Sequence, residues 1–462
     1  MRIPGDGRLT RIVKGRLFFA RSRGHLSYRR LASALAPARI SPYHTGRLLR
    51  QTSRPKNRVL APLSNFAQRL AALIRGVDLG TLGVRRPAGA PLGTSPAGLL
   101  SCDGGLPESF PALALELFAL QFAANDPYRR LCIARRRTPE QVSCWTEIPA
   151  APTEAFKDMD LTCLTPDERR FVFHSSGTTG QRASRHFHCP ESLTLYATSL
   201  QPWFQRHLLG DVEASLNGQS IALSMDQIAL TPAPATVPNS SLAHMLGVLE
   251  VNLGSRDSVF VGRLGSDQFW TLDFDALHSA LQRSVHANRP VLLMGTAFNF
   301  VDLIDQLELM KIQFRLPPGS RIMETGGYKG RSRALPKEEL HARLIGHLGI
   351  REDHIVSEYG MSELSSQAYD HSIRKCSEKE TGARVRRIFF FPPWARVRVI
   401  SPETQAEVAE GETGLIQVTD LANVASVLAV QTSDLGIRRG SGFELLGRVS
   451  TVEPRGCSLM TA

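Results

Sequence analysis

The sequence lacks features that would place it in several common protein classes. No apolar run approaches the roughly 18 residues that a membrane-spanning helix needs. The seven cysteines are odd in number and contain no Cys-x-x-Cys pair, so neither a disulfide framework nor a zinc ribbon is indicated. These absences exclude an integral membrane protein and a disulfide-rich secreted domain. They predict a protein of a reducing, cytoplasmic compartment.

Acidic residues are nearly missing from the first 99 positions. That segment has 19 Lys and Arg residues against only Asp6 and Asp78, whereas residues 100–462 have 36 basic and 41 acidic residues. Without sustained apolar periodicity, residues 1–105 are predicted to stay outside the core. A disordered or wrongly included extension, an organelle targeting peptide and a nucleic-acid arm all fit this composition. The rest of the chain is not expected to bind nucleic acid.

From Phe110 onward the pattern is that of a folded α/β protein. Apolar residues at helical spacing predict helices over 111–124, 191–209 and 336–348. Short apolar runs between them predict strands over 171–173, 221–223 and 291–295. Such alternation is typical of sheets covered by helices.

After Arg396 the chain becomes mostly β. Strands are predicted over 397–400, 414–418 and 442–446. The predicted organisation is therefore a basic extension over 1–105, a large α/β domain over 106–396, and a small β-rich subdomain with a short tail over 397–462.

A loop of small and hydroxyl-bearing residues follows the strand that ends near Phe173. Its members are Ser175, Ser176, Gly177, Thr178, Thr179 and Gly180. Glycines let backbone N–H groups converge on an anion, and the hydroxyls add donors, so the loop is a candidate triphosphate site. The Gly-Lys-Ser/Thr of a Walker loop does not follow. A generic Ser/Thr/Gly turn has the same composition.

Two later stretches add nucleotide-binding chemistry. In the first, Tyr359 can lie against a purine, Ser362 offers a hydroxyl and Glu363 can hold Mg²⁺. In the second, Asp434 can accept from both ribose hydroxyls and Arg448 can pair with phosphate. Taken alone, each stretch also fits an ordinary turn.

In this order, these stretches resemble the adenylate-forming superfamily of acyl-CoA synthetases, luciferases and peptide-synthetase adenylation domains. The resemblance narrows to the LuxE acyl-protein synthetase family in four stretches, which are Glu324–Arg333, Glu358–Gln367, Asp420–Val424 and Glu453–Leu459. It covers roughly residues 107–459. It implies the large domain of that superfamily, with ATP and Mg²⁺ as cofactors.

The resemblance implies a role for each matching position. The six loop residues would hold the ATP phosphates, and Ser362 would contact the α-phosphate. The adenine would lie along Gly326, Gly327 and Tyr328 and stack on Tyr359. Glu363 would bind Mg²⁺, Asp434 would bind the ribose, and Arg448 matches the arginine near the superfamily's hinge. The loop lacks the usual Pro-Lys-Gly, so Arg182 or Arg185 would supply the positive charge.

The end of the sequence also departs from most of the superfamily. A mobile lid domain with a catalytic lysine usually follows, but only 14 residues come after Arg448. The LuxE family resembles this truncated form, and there a cysteine near the C-terminus receives the acyl group. Cys457 matches that cysteine, and a thiolate can attack an acyl adenylate to form a thioester. Outside the family context, a terminal cysteine is an ordinary exposed thiol.

The predicted function is ATP-dependent activation of a carboxylic acid to an acyl adenylate, followed by transfer to Cys457. The family implies a long-chain fatty acid and a partner such as an acyl-protein reductase or a carrier protein. One alternative uses an external thiol, such as coenzyme A, with Cys457 idle. Another is a catalytically inert nucleotide-binding protein.

Two further features of the sequence are open to more than one interpretation. The stretch 238–246 fits either a wall of the acyl pocket or a helix start capped by Ser240 or Ser241. His186 and His188 alternate along a short strand, so no metal ligand is assigned to them.

Overall fold

A computed structural model of the chain describes residues 60–77, 106, 108–175, 182–213, 225–265, 269–326, 335–373 and 387–448. All of them belong to the unit Arg54–Ala462. The strand predicted over 221–223 lies outside the described residues. Within the described part of the chain, no helix is both long and apolar enough to cross a membrane.

The helices fall where apolar residues recur every three to four positions. They are α1 Leu60–Gly76, α2 Phe110–Ala124, α3 Asp126–Ala134, α4 Ala155–Asp158, α5 Pro190–Phe204, α6 Gly210–Glu213, α7 Ser241–Leu253, α8 Phe274–His286, α9 Ala297–Met310 and α10 Lys337–Leu348. A π-helical turn, Gln205–Leu209, extends α5. The three predicted helices are thus confirmed as α2, as α5 with its π-helical extension, and as α10.

The strands form a largely parallel sheet, a largely antiparallel sheet and two antiparallel hairpins. They are β1 Ala151–Pro152, β2 Phe171–His174, β3 Arg185–His188, β4 Asp226–Ala229, β5 Val259–Phe260, β6 Gly262–Leu264, β7 Trp270–Leu272, β8 Val291–Thr296, β9 Arg321–Thr325, β10 Ile355–Tyr359, β11 Ala368–Tyr369, β12 Ala395–Ile400, β13 Thr413–Asp420, β14 Ala429–Arg439 and β15 Gly442–Arg448.

A six-stranded sheet in the order β11-β10-β9-β8-β4-β5 forms the centre of the large domain. Its strands are parallel except for β11. Leu293 and Ile322 share a core with helices α8, α9 and α10. Leu292 and Met294 lie in another core, with residues of α5 and α7. Both faces are therefore covered, which explains the uninterrupted apolar runs of these strands and confirms the predicted α/β class.

The C-terminal strands form a second, five-stranded sheet. Strands β12, β13, β14 and β15 pair antiparallel, and β1 adds a parallel edge to β14. The three strands predicted in this region are confirmed. Strand β14 was not predicted, because the residues around Asp434, taken alone, fit a turn. In the structure Asp434 lies within β14, opposite Arg448 of β15.

The prediction that residues 1–105 stay outside the core is wrong for helix α1. Leu63, Phe66, Leu70 and Ile74 of α1 are buried in the same core as α2 and α5. The Ser64 hydroxyl also donates to Glu191 on α5 at 2.8 Å. The helix was missed because its apolar stripe is short and the composition was averaged over a long basic segment. The rest of residues 1–105, apart from Val77, lies outside the described residues.

A buried carboxyl group sits at the end of strand β10. Glu358 accepts a hydrogen bond from the Thr325 hydroxyl on the neighbouring strand β9. Burial raises the pKa of Glu358 to about 7, the charge of Glu324 adds to the rise, and the Thr325 hydrogen bond opposes it. The carboxyl therefore titrates near neutral pH in the folded chain.

We predict that α1 is required for stability. Phe66→Ala should lower the free energy of unfolding by about 3–5 kcal/mol, because it leaves a cavity in the core. Asn65→Ala, at the exposed neighbouring position, should change it by no more than about 0.5 kcal/mol. Denaturant unfolding of the full chain measures both values. Equal stability of the two variants would show that α1 does not contribute to the core.

We also predict that Glu358 makes folding pH-dependent. An unfolded Glu ionises near pH 4, about three units below the folded group, so the folded chain holds an extra proton between those values. Its stabilising effect is complete at low pH and is lost as pH rises through the folded pKa.

The difference in unfolding free energy between wild type and Glu358→Gln should therefore fall by about 3 kcal/mol from about pH 5 to about pH 8. Denaturant unfolding at several pH values measures it. Glu403→Gln, at an exposed position, is the control. Parallel curves for wild type and Glu358→Gln would contradict the prediction.

Candidate functional site

The candidate residues that the structure describes lie around the junction between the two large sheets. Strands β2 and β3 form an antiparallel hairpin, and its connecting loop contains the candidate phosphate-binding residues. Of the candidate residues, the structure describes Ser175, Gly326, Tyr359, Ser362, Glu363, Asp434 and Arg448. The others lie outside the described residues, namely Ser176, Gly177, Thr178, Thr179, Gly180, Gly327, Tyr328 and Cys457.

The base of the loop is closed by a reciprocal pair of serines. The Ser175 N–H donates to the Ser184 carbonyl at 3.3 Å, and the Ser184 N–H donates to the Ser175 hydroxyl at 3.0 Å. Ser175 and Ser184, which flank the segment 176–183, are thereby paired with each other next to the last paired residues of the β2–β3 hairpin.

The turn after β10 meets this loop base directly. The Ser362 hydroxyl donates to the His174 carbonyl at 3.0 Å, and the Ser184 hydroxyl donates to Glu363 Oε1 at 2.5 Å. These two contacts join segments that are more than 170 residues apart in the sequence. The structure thus brings the described end of the candidate phosphate loop together with the candidate metal ligand.

A second set of polar residues supports the Glu363 turn from the C-terminal sheet. Asp420 accepts from the backbone N–H groups of Ser365 and Ser366, at 2.9 and 2.8 Å. The Asn423 side-chain amide donates to the Glu363 carbonyl at 2.8 Å. Asp420 and Asn423 belong to the stretch Asp420–Val424, which the sequence analysis used only as a mark of family likeness. No local pattern predicted that they would hold the site.

Tyr359, Asp434 and Arg448 are in direct contact. The Tyr359 hydroxyl donates to Asp434 Oδ2 at 2.9 Å, and Arg448 Nε donates to Asp434 Oδ1 at 3.3 Å. The Tyr359 ring packs edge-on against Phe443, with 5.2 Å between ring centroids. Burial raises the pKa of Tyr359 well above its usual value, so its hydroxyl keeps its proton. Both carboxylate oxygens of Asp434 thus have partners within the chain.

Gly326 lies at the same edge of the parallel sheet. It follows β9 directly and has a φ of +65°, a left-handed conformation that glycine adopts without strain. Strands β9 and β10 are adjacent and parallel, so Gly326 and Tyr359 are near neighbours at the carboxyl ends of the strands. Ligands of open α/β sheets commonly bind at that edge.

Glu363 has the character of a single protein ligand to a cation. It is 5% exposed, and burial raises the pKa of its carboxyl, while the hydrogen bond from Ser184 and the charge of Arg448 oppose the rise. Among the described residues, no group of three or more His, Cys, Asp or Glu side chains could hold a metal ion. One carboxylate nevertheless fits Mg²⁺ that takes its remaining ligands from phosphates and water.

The nearby histidines pack as aromatic rings. His186 and His188 stack with ring centroids 4.7 Å apart, and His188 also contacts Phe173. Burial lowers the pKa of His186 to about 4, so the ring is neutral at physiological pH. Arg185 forms an ion pair with Asp160, with 2.8 Å between Nη2 and Oδ1.

The N-terminus of helix α7 lies against the same site. Ser240 caps the helix by accepting from the Ala243 N–H at 3.2 Å, which confirms the capped helix start predicted for this stretch. The next residue, Ser241, places its hydroxyl 3.4 Å from that of Ser362. Helix α7 therefore borders the site through its first turn.

Comparison with known proteins agrees with this geometry. Residues 237–462 match the family model described as acyl-protein synthetase, LuxE. The long-chain-fatty-acid–luciferin-component ligase of Aliivibrio fischeri is 23% identical over 363 residues, covering 76% of this chain and 87% of that protein. The Vibrio harveyi protein of the same name is 24% identical over 349 residues, covering 72% and 82%.

The fold is also that of a solved enzyme. A crystal structure of 2-hydroxyisobutyryl-CoA ligase with 2-HIB-AMP, in the postadenylation state, superposes with a TM-score of 0.51 at 13% identity, covering 81% of this chain and 75% of that one. The predicted fold class is thus confirmed. Together these matches confirm the predicted resemblance to the LuxE acyl-protein synthetase family, and with it the prediction that the chain is an adenylate-forming ligase.

Proposed function

We propose that this ligase activates a carboxylic acid with ATP and then passes the acyl group to a thiol. One observation carries the first step: the Ser184–Glu363 and Ser362–His174 hydrogen bonds join the candidate phosphate loop to the candidate metal carboxylate. A chain that only bound a nucleotide would not need a buried carboxylate at that position. The inert alternative is therefore disfavoured.

In the proposed adenylation, an oxygen of the substrate carboxylate attacks the α-phosphorus of ATP. A bond from that oxygen to phosphorus forms, the bond to the bridging oxygen breaks, and pyrophosphate leaves. Mg²⁺ held by Glu363 and the phosphates would offset the negative charge of the triphosphate. The loop residues would hold the phosphates in place, and Ser362 would contact the α-phosphate. No general base is needed, because the attacking carboxylate is already ionised.

A long-chain fatty acid is the proposed substrate. The two bacterial relatives carry that substrate class in their names, and helix α7 borders the site through Ser241. One turn further along, the His244 ring packs 5.2 Å from Phe173 and 5.6 Å from Tyr196. The aromatic rings around His244 support the proposal that the stretch 238–246 forms a wall of the acyl pocket.

The proposed acceptor is Cys457. Its thiolate would attack the adenylate carbonyl, so a carbon–sulfur bond forms, the carbon–oxygen bond to AMP breaks, and the thiol proton goes to solvent. Strand β15 ends at Arg448 beside Asp434, and nine residue steps can span at most about 30 Å, which is enough to reach an adenylate there. An acyl-protein reductase or a carrier protein would then take the acyl group.

The same-class alternative gives the acyl group directly to coenzyme A or to a carrier-protein pantetheine. A cytoplasmic location remains part of the proposal. It is supported by the described cysteines, Cys132, Cys144, Cys163 and Cys189, which are all free, as a reducing compartment would keep them.

We predict that Glu363→Gln impairs the first step. The change keeps the size of the side chain but removes the charge, and acid-dependent ATP–pyrophosphate exchange should fall about 100-fold or more, equivalent to about 3 kcal/mol. Glu250→Gln is a matched control, because burial also raises the pKa of Glu250 and that residue lies on α7. Full exchange activity in Glu363→Gln would remove this residue from the metal site.

We predict that Cys457→Ser separates the two steps. Pyrophosphate exchange should stay near the wild-type rate, because adenylation needs no thiol. The hydroxylamine-labile acyl label on the protein should disappear, because a hydroxyl is a poor nucleophile at neutral pH. Cys144→Ser, at an exposed cysteine, should change neither measurement.

Two results would redirect the proposal. A labile label that persists in Cys457→Ser would identify another cysteine as the acceptor. A wild-type chain that takes up no label but makes acyl-coenzyme A would replace self-acylation with the external-thiol alternative.

A further inference from the structure

We propose that Ser184 is a positioning residue that sets the direction in which the Glu363 carboxylate faces the cation bound with ATP. The inference rests on the proposed role of Glu363 and adds a residue that neither composition nor family likeness singles out. Ser184 lies just before β3, beyond the Ser/Thr/Gly run. Its hydroxyl is not proposed to touch ATP or the acid.

The contact has the geometry of a strong, directional hydrogen bond. The Ser184 hydroxyl lies 2.5 Å from Glu363 Oε1. Ser184 is 1% exposed, so water does not compete readily for either partner. Hydrogen bonds from hydroxyls to carboxylates are shortest and strongest when the acceptor is ionised, which is the form that binds a cation.

The Ser184 hydrogen bond fixes a side-chain torsion of Glu363 that the contacts of the Glu363 backbone leave free. The carbonyl of Glu363 is held by Asn423, but the terminal torsion of a glutamate is broad and roughly two-fold. Engaging Oε1 selects one orientation of the carboxyl plane and turns Oε2 to a defined direction. A cation at Oε2 would then bind a carboxylate that is already oriented.

Ser184 is itself held rigidly. Its backbone N–H and carbonyl both pair with Ser175, and the next residue, Arg185, pairs with His174 across the β2–β3 hairpin. Ser184 therefore joins the described base of the candidate loop, at Ser175, to Glu363. Such supporting contacts typically change metal affinity about 10- to 100-fold when removed.

The test compares Ser184→Ala with Ser184→Thr, which keeps the hydroxyl. Binding of Mn²⁺ in the presence of ATP is followed by electron paramagnetic resonance, without acid and without turnover. Ser184→Ala should raise the apparent Mn²⁺ dissociation constant about tenfold, and Ser184→Thr should recover most of the loss. The Mg²⁺ concentration for half-maximal pyrophosphate exchange should rise in parallel, with a smaller change in the rate at saturating Mg²⁺.

The control removes an equivalent hydrogen bond far from the site. The Ser284 hydroxyl donates to Asp226 Oδ2 at 2.8 Å, and both side chains are buried. Ser284→Ala should therefore cost similar stability, measured by thermal unfolding, but should leave Mn²⁺ binding unchanged.

A double variant tests whether Ser184→Ala weakens Mn²⁺ binding through Glu363 or through a general loss of structure. If Ser184 acts through Glu363, adding Ser184→Ala to Glu363→Gln should weaken Mn²⁺ binding little beyond Glu363→Gln alone. An unchanged Mn²⁺ dissociation constant in Ser184→Ala would overturn the proposal. Additive effects in the double variant, or Mn²⁺ binding that is insensitive to Glu363→Gln, would overturn it as well.

The proposed function and the proposed role of Ser184 can be contradicted by different results. Wild-type protein that binds Mn²⁺ and ATP through Glu363 but shows no acid-dependent exchange would contradict the proposed function and leave the role of Ser184 measurable. Wild-type protein that exchanges normally but whose Ser184→Ala variant binds Mn²⁺ normally would contradict only the role of Ser184.

Discussion

The arrangement of the candidate site depends on one buried carboxylate, that of Asp420 at the end of β13. Asp420 is completely buried and accepts from the N–H groups of Ser365 and Ser366, from the Ser366 hydroxyl and from the Ala422 N–H. An ion without partners in such a place would be strongly destabilising, whereas four donors satisfy it. The antiparallel sheet is thereby joined to the turn that follows the parallel sheet.

The contacts around Asp420 reach the helical layers on either side. Gln121, on α2, donates to the Asn423 carbonyl at 2.8 Å, and Ser199, on α5, lies 3.0 Å from the Ser366 hydroxyl. The turn that contains Ser362 and Glu363 is therefore held from both sheets and from two helices. A binding site needs such support, because a misplacement of about 1 Å at the reacting groups is costly.

The sequence predicts an element of this structure when the interactions that stabilise the element involve residues close together in the sequence. Helix α2 and strand β8 follow from apolar spacing within a dozen residues, and both were predicted. Strand β14 was missed because Ser433, Asp434 and Gly436 are typical turn residues; pairing with two neighbouring strands outweighs that local preference. Helix α1 also has apolar residues at helical spacing, but it was missed because the basic composition of the long segment around it outweighed that local pattern.

The difference between local patterns and distant contacts also explains which residues of the candidate site were predicted. Family likeness grouped the described candidates Tyr359, Ser362, Glu363 and Asp434 in advance, since each belongs to a short recognisable run. Neither Ser184 nor Asn423 was assigned a role in that way, because their partners lie 179 and 60 residues away. The sequence does not indicate to which distant group a hydroxyl or an amide in a loop will form a hydrogen bond.

The contact between Arg448 and Asp434 has a consequence for nucleotide binding. Asp434 has one partner on each oxygen, and a carboxylate offers about four lone-pair sites, so in the proposed ribose role a hydroxyl could bind beside either partner or replace it. The Tyr359 hydroxyl belongs to a buried ring that is packed against Phe443, and displacing it would disturb the core. The Arg448 side chain is 74% exposed, and an ion pair so open to water contributes only about 0–1 kcal/mol.

Arg448 is therefore the partner that yields at lower cost. In the proposed ribose role, a hydroxyl would meet Asp434 Oδ1 beside Arg448 Nε or in its place, while Tyr359 continues to hold Oδ2. The proposed role of Asp434 therefore tolerates the loss of the exposed Arg448 contact more readily than the loss of the buried Tyr359 contact.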